Sequence, residues 1–164
     1  MKSRTGFTLV EILIVVVILG ILAAIVIPQF TSASTEAKES SLVSDLQAVR
    51  SQIELFKIQH NDQLPGTIPA GAAVSFVTAM TTKTDQYGAA NGRFGPYMNS
   101  IPGNPFVDAT TASPTKPYDV DEEAGTGSVG GGNCGWHYDT TTGWFQADDD
   151  GVNTLDNNKA HSAY

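Results

Sequence analysis

Glu11 is the residue whose position most demands chemistry. It stands directly before the apolar run at residues 12–27 and behind Gly6-Phe7-Thr8-Leu9-Val10. An ionised carboxylate in hydrocarbon costs several kcal/mol unless something neutralises it. A chain that places Glu11 there is expected to supply a positive partner for it. A second set of residues could hold a cation. Asp148-Asp149-Asp150-Gly151, with Asn153 and Asp156, offers hard oxygens of the kind that calcium takes. The acids do not alternate before the glycine as in an EF-hand, and a solvated acidic tail is the competing reading. Asp119, Asp121 and Glu122 form another acidic cluster. His60, His137 and His161 are far apart and lack zinc-ligand spacing, so each reads as an ordinary exposed polar side chain. No nucleophile elbow, metalloprotease helix motif or phosphate loop is present, and no catalytic residue is assigned. The chain is not expected to be an enzyme.

The element that positions Glu11 is a helix. Residues 7–60 read as one long helix in two halves of different character. The first half is apolar on every side, as a membrane span or a buried bundle helix must be. From Phe7 to Ile27 is 21 residues. At about 1.5 Å per residue that spans a hydrocarbon core of roughly 30 Å. Val15-Val16-Val17 would make a mediocre helix in water, but in lipid the helix satisfies its own backbone groups. Gly20 and Pro28 are the weak points. Proline removes one backbone bond and crowds the preceding turn, so a kink or local melting is expected near residues 24–28. In the second half, Leu42, Leu46, Val49, Ile53 and Phe56 recur at steps of four and three. That stripe reads as the seam of the helix against a sheet, while Glu36, Lys38, Glu39, Asp45, Arg50 and Glu54 take the remaining surface. Asn61-Asp62 and Leu64-Pro65-Gly66 end the helix with turn chemistry.

Beyond the helix the pattern thins. Residues 73–82 suggest a short helix with Val74, Val77 and Met80 on one side. The prolines in residues 95–106 make an edge or connecting stretch, with Tyr97 and Phe106 docked on the core. Residues 108–134 are rich in Thr, Pro, Gly and acids and read as loop. Trp136-His137-Tyr138 and Trp144-Phe145-Gln146-Ala147, joined by a Thr/Gly turn, read as a hairpin. Trp136 and Tyr138 share one face by period two. The polar residues 148–164 lack apolar periodicity and read as a frayed acidic tail.

The 164 residues suit one small domain behind the N-terminal segment. The formal net charge is −8, and no clustered Lys and Arg offer a nucleic-acid surface. Cys134 is the single cysteine, so an intramolecular disulfide is impossible. It reads as a small residue in a Gly-rich turn. Two bland explanations of the N-terminus compete. A secretory signal has a shorter apolar core and an A-x-A-like site, whereas here hydrophobes continue past Ala23-Ala24. A plain single-pass anchor fits the length but leaves Gly6-Phe7 and Glu11 unexplained.

Gly6-Phe7, Glu11 and the apolar run behind them resemble the cleavage and methylation junction of the type IV pilin-like superfamily. Residues 95–106, Gly-Pro-Tyr-Met-Asn-Ser-Ile-Pro-Gly-Asn-Pro-Phe, resemble a segment of the major, G-type pseudopilin of type II secretion, with Asn104 in place of an acid and Phe106 in place of a tryptophan. The lack of a disulfide also tilts toward pseudopilins. The resemblance is specific over residues 1–30 and weakens beyond residue 106.

It implies an α+β pilin-like fold, a long N-terminal helix packed on a small antiparallel sheet. The implied parts are a leader at 1–6, a transmembrane and filament-core helix at 7–28, a periplasmic domain at 29–147 whose amphipathic helix is 29–60, and a tail at 148–164. A prepilin peptidase would cut between Gly6 and Phe7, and the new amine of Phe7 would be methylated. Lys2 and Arg4 would leave with the leader, so the nine basic residues become seven against 17 acidic. That amine would neutralise Glu11 of its own or a neighbouring subunit. Losing one partner of a buried pair costs on the order of 3–5 kcal/mol. The stretch from Gly20 to Pro28 would lose helicity on filament packing. G-type pseudopilins typically bind calcium in their C-terminal loop region, which makes Asp148, Asp149, Asp150 and Asn153 the candidate ligands. No other cofactor is implied.

The implied role is a helical pseudopilus subunit, anchored in the bacterial inner membrane with its C-terminal domain in the periplasm. Its partners would be further copies of itself, other pseudopilins, the prepilin peptidase and an inner-membrane assembly platform. A type IV pilin for adhesion, twitching or DNA uptake is the first rival. A monomeric membrane-anchored binding protein is the second.

Overall fold

A computed structural model describes residues 6–67, 74–89, 91–107, 116–124, 134–149 and 160–161. Helix α1, Leu9–Gln59, comes first. The chain divides into two units, Met1–Ala37 and Lys38–Tyr164.

In the first unit every residue from 6 to 34 is exposed. No stripe is favoured, because apolar side chains occupy every direction around the axis. By length and composition this helix could cross a membrane. In the single chain, helical structure continues through Gly20 and Pro28, where a kink or local melting was expected. Pro28 cannot donate to the backbone ladder. In the turns that follow, hydroxyls supply extra local bonds: Thr31 Oγ1 donates to the Ile27 carbonyl (3.2 Å), Ser32 Oγ to that of Pro28 (3.1 Å) and Thr35 Oγ1 to that of Thr31 (3.2 Å).

In the second unit the expected stripe is the core seam. Leu42, Leu46, Val49, Ile53 and Phe56 are buried against Phe76, Ala79, Met80, Ile101, Trp136, Tyr138, Phe145 and Ala147. Each large side chain withdrawn from water contributes roughly 1.5–3 kcal/mol. Polar residues extend the stripe at both ends. Glu39, expected on the surface, is 2% exposed, and His60 is fully buried. Both lie in register with the apolar positions, one turn before Leu42 and one turn after Phe56.

Helix α2 is shorter than expected, Phe76–Thr81, and Ser75 caps it by accepting from the Thr78 amide (3.2 Å). Phe76, Ala79 and Met80 are its buried residues, and Val74 and Val77 pack partly buried against the core. A short 3-10 helix, Lys116–Tyr118, precedes the sheet. The sheet has three strands in the order β1 (Val120–Glu123), β2 (Trp136–Asp139) and β3 (Phe145–Ala147). β2 and β3 form the expected antiparallel hairpin, with Tyr138 opposite Phe145 and Trp136 opposite Ala147. Its turn is held by Asp139, whose carboxylate accepts from the Thr141 amide (2.8 Å) and the Thr142 hydroxyl (2.6 Å). Gly143 takes φ +77°, and a Cβ there would also meet Leu64 Cδ2 at 2.4 Å.

The sheet is mixed rather than purely antiparallel, because β1 joins β2 in parallel, with Val120 opposite Trp136. β1 also corrects the reading of residues 108–134 as loop throughout. The twelve residues 124–135 are long enough for the crossover that a parallel pair needs. β1 is acidic and has weak strand propensity; its side chains carry the tertiary bonds instead. Glu122 Oε2 accepts from the Phe76 amide at 2.8 Å. Burial pushes the Glu122 carboxyl up, the Phe76 and Val77 amides oppose this, and the Asp121 charge adds to it. Burial first, then the Glu122 and Asp139 charges, push the Tyr138 phenol up.

As expected, Tyr97 and Phe106 dock on the core. The Tyr97 hydroxyl donates to Gln59 Oε1 (2.6 Å), and Trp136 Nε1 donates to the Pro102 carbonyl (2.8 Å). Arg50 ties α1 to β3: its Nε donates to the Phe145 carbonyl (2.9 Å) and its guanidinium lies 4.1 Å from the Trp144 ring centre. Trp136 is fully buried, whereas Trp144 is 49% exposed.

Candidate processing and assembly site

Thr8 starts the helix that carries Glu11. The Glu11 amide donates to Thr8 Oγ1 (3.2 Å), and the Thr8 amide donates to Glu11 Oε2 (3.4 Å). The Thr8 hydroxyl also lies 3.5 Å from Glu11 Oε2, and the Ile12 amide donates to the Thr8 carbonyl (3.3 Å). This is a capping box, in which residues three apart satisfy each other's orphan amide. The carboxylate also sits in the first turn, where the helix dipole favours negative charge. Glu11 is therefore engaged at the start of its own helix. The Thr-x-x-Glu spacing ahead of an apolar run is the sequence signal for Thr8, which the reading of the junction left out.

The neighbours of this box are open. Phe7 is 79% exposed, and a Cβ at Gly6 would meet nothing within 4 Å. Among the described residues, nothing in the local packing requires glycine at position 6 or covers the aromatic ring at position 7. Their residue types are free to be read by another molecule. Gly20 is equally unconfined: beyond its own turns of helix, no described atom lies within 4 Å of the Cβ it lacks. A helix position without a side chain lets another backbone come close. Gly6, Phe7 and Glu11 thus fall on one exposed stretch, while Gly20 and Pro28 lie further along α1.

The candidate cation ligands are placed differently. Asp148 and Asp149 are 2% and 5% exposed, which corrects the reading of the tail as frayed from residue 148. Asp150 and Asn153 lie outside the described residues. Asp149 Oδ1 lies 2.6 Å from His161 Nδ1, and Asp149 Oδ2 accepts from Asn104 Nδ2 at 2.8 Å. The second acidic cluster does not converge. Glu122 turns to the α2 amides, and Asp121 Oδ2 lies 3.8 Å from His137 Nδ1.

All three histidines are buried rather than exposed. His60 stacks on Phe56 with ring centres 3.7 Å apart, and its nitrogens meet the Phe56 carbonyl and Thr84 Oγ1, each at 2.9 Å. Among the described residues, no three His, Cys, Asp or Glu side chains are grouped so as to hold a metal. Cys134 is half-buried and takes part in no disulfide.

Comparison with known proteins supports the reading of the junction. The family described as the prokaryotic N-terminal methylation motif matches residues 1–27. The chain is 33% identical to the type II secretion system core protein G of Klebsiella pneumoniae over 122 residues, 74% of this chain and 83% of the relative. It is 33% identical to that of Vibrio cholerae over 106 residues, 65% of this chain and 68% of the relative. It is 29% identical to that of Dickeya chrysanthemi over 145 residues, 80% of this chain and 91% of the relative. No solved structure matches the chain.

Proposed function

The chain belongs to the family of type II secretion system core G proteins, and from that premise we propose that it is the structural subunit of a pseudopilus. The observation that carries the reading is the junction itself. An open Gly6-Phe7 step stands beside a carboxylate at the foot of a helix whose apolar surface no described residue of its unit covers. In this reading a prepilin peptidase hydrolyses the Gly6–Phe7 bond, leaving a carboxylate on Gly6 and an amine on Phe7. The methylated amine stays cationic and becomes the partner of a Glu11 carboxylate. The capping box holds that carboxylate at the start of α1, two residues beyond Leu9 in sequence, where an incoming amine can reach it.

The helix then serves in two settings. It anchors the subunit in the inner membrane, with the second unit in the periplasm, and it later packs against copies of itself in the filament. Burial against other helices replaces burial in lipid. The Glu11–amine pair sets the register, since a misplaced subunit would leave a charge unpaired in low dielectric. Repeated contacts that do not close on themselves give a helical polymer. The subunit would work with other pseudopilins and the assembly platform in exporting folded proteins. The core G relatives favour this role over a type IV pilin or a monomeric binding protein.

Intact mass and N-terminal sequencing of the protein from its native membrane test the first step. A chain beginning at Phe7 with one added methyl is the expected result. A chain still carrying residues 1–6 beside an active prepilin peptidase would overturn it. For assembly, Glu11→Ala is expected to give a processed, stable subunit that fails to form filaments. Unimpaired filaments from that variant would remove the role given to Glu11.

A further inference from the structure

Asp148 and Asp149, two of the four residues expected to bind calcium, are closed off by the protein. Calcium takes six to eight oxygens at about 2.3–2.6 Å. Asp149 is 5% exposed, and each of its carboxylate oxygens is engaged, Oδ1 with His161 Nδ1 at 2.6 Å and Oδ2 with Asn104 Nδ2 at 2.8 Å. These partners point N–H groups at the carboxylate, where a cation would have to sit. Asn104 brings no free oxygen either, because its Oδ1 accepts from the Phe106 amide (2.9 Å) while its Nδ2 also donates to the Gly135 carbonyl (2.8 Å). His161 is 1% exposed, and its ring packs on Phe106 with centres 4.2 Å apart. Its Nε2 is buried with no partner among the described residues, so the Nδ1 contact with Asp149 is what holds the ring. Asp148, beside them, is 2% exposed, and its amide donates to the Gly135 carbonyl (3.1 Å). A calcium ion at Asp149 would have to expel His161 and Asn104.

We propose that this chain holds Asp149, just past β3, with the imidazole of His161 where a bound calcium ion was expected, and that its fold is calcium-independent. One carboxylate, one imidazole and one amide join three separate parts of the chain: the end of β3, residue 161, and the 104–106 turn with Gly135 behind it. The inference rests on contacts within the second unit and is independent of the filament reading.

The test is thermal unfolding and calcium titration of the full chain in detergent. With excess EGTA or with millimolar calcium chloride, the wild-type midpoints should coincide, and calorimetry should show no stoichiometric site tighter than about 1 mM. His161→Ala should lower the midpoint by about 5 °C or more in both buffers, since it leaves a buried carboxylate short of a partner. His161→Gln, whose amide can still donate to Asp149, should lose less. A wild-type midpoint that falls in EGTA, or a stoichiometric calcium site, would overturn the proposal. So would a His161→Ala midpoint equal to wild type. If His161→Ala does not fold, the two wild-type measurements and the His161→Gln midpoint still decide.

Discussion

From residue 9 to residue 27, α1 exposes apolar side chains in every direction; from residue 38 to residue 59 it buries a single stripe and leaves the rest to water. Both stretches are regular helix, so backbone geometry does not separate them. The angular distribution of apolar residues does. Where they repeat at three and four, the chain provides the surface that covers them, in α2, the sheet and the 97–106 stretch. Where they run all round, none of the described residues covers them. An amphipathic stretch finds its partner within the fold, and a uniformly apolar one needs lipid or other helices.

Matched truncations in the two stretches put the comparison to the largest test. Phe56→Ala removes a fully buried ring from the stripe and should cost about 3–5 kcal/mol of folding stability, read by urea unfolding in detergent. Val16→Ala, on the exposed stretch, should leave that unfolding curve in place. Equal losses would abolish the distinction. A pair of glycines gives the next test. Gly143→Ala meets both a left-handed backbone and Leu64, and should cost about 1–2 kcal/mol or more. Gly20→Ala sits in a helix with open space around it. It should leave the second unit's midpoint unchanged and, in the filament reading, weaken assembly.

Smaller effects sharpen the boundary. Thr8→Ala removes one half of the capping box and should cost about 1 kcal/mol locally. Amide exchange should speed up at residues 9–12 and stay the same beyond residue 38. An effect in the core would mean that the two stretches are energetically coupled. The smallest change expected is at Glu122. Because its folded pKa is raised, the folded state holds the proton longer, so stability falls as pH rises from the ordinary carboxyl value of about 4.3 through the raised value. Glu122→Gln keeps an acceptor for the Phe76 amide without the charge. It should match or exceed wild type at neutral pH by under about 1 kcal/mol, since the site is partly solvated, and the gap should close in acid. A gap that widens in acid would reverse the sign assigned to Glu122.

What could be read in the residues follows from where their partners lie. The α1 stripe and the β2–β3 hairpin were legible because periods of 3.6 and 2 are local properties of the chain. The Gly6-Phe7 and Glu11 junction was legible because charge beside hydrocarbon is conspicuous. β1 was not, since Asp121-Glu122-Glu123 reads as surface until Glu122 finds the Phe76 amide. Glu39, His60 and Asp149 were assigned to the wrong environment for the same reason. A polar residue is buried only when distant groups complete its bonds, and no spacing rule announces that Asn104 and His161 meet at Asp149. Thr8 had a legible signal in Thr-x-x-Glu, masked by the more obvious demand of the carboxylate.

Trp136 and Trp144 give the molecule two optical reporters of unlike surroundings. The first, enclosed and bonded to Pro102, should emit at shorter wavelength and resist iodide. The second, half open beneath the Arg50 guanidinium, should emit further to the red and quench readily. Their separate signals would distinguish loosening of the core from release of the Arg50 clasp in one unlabelled sample.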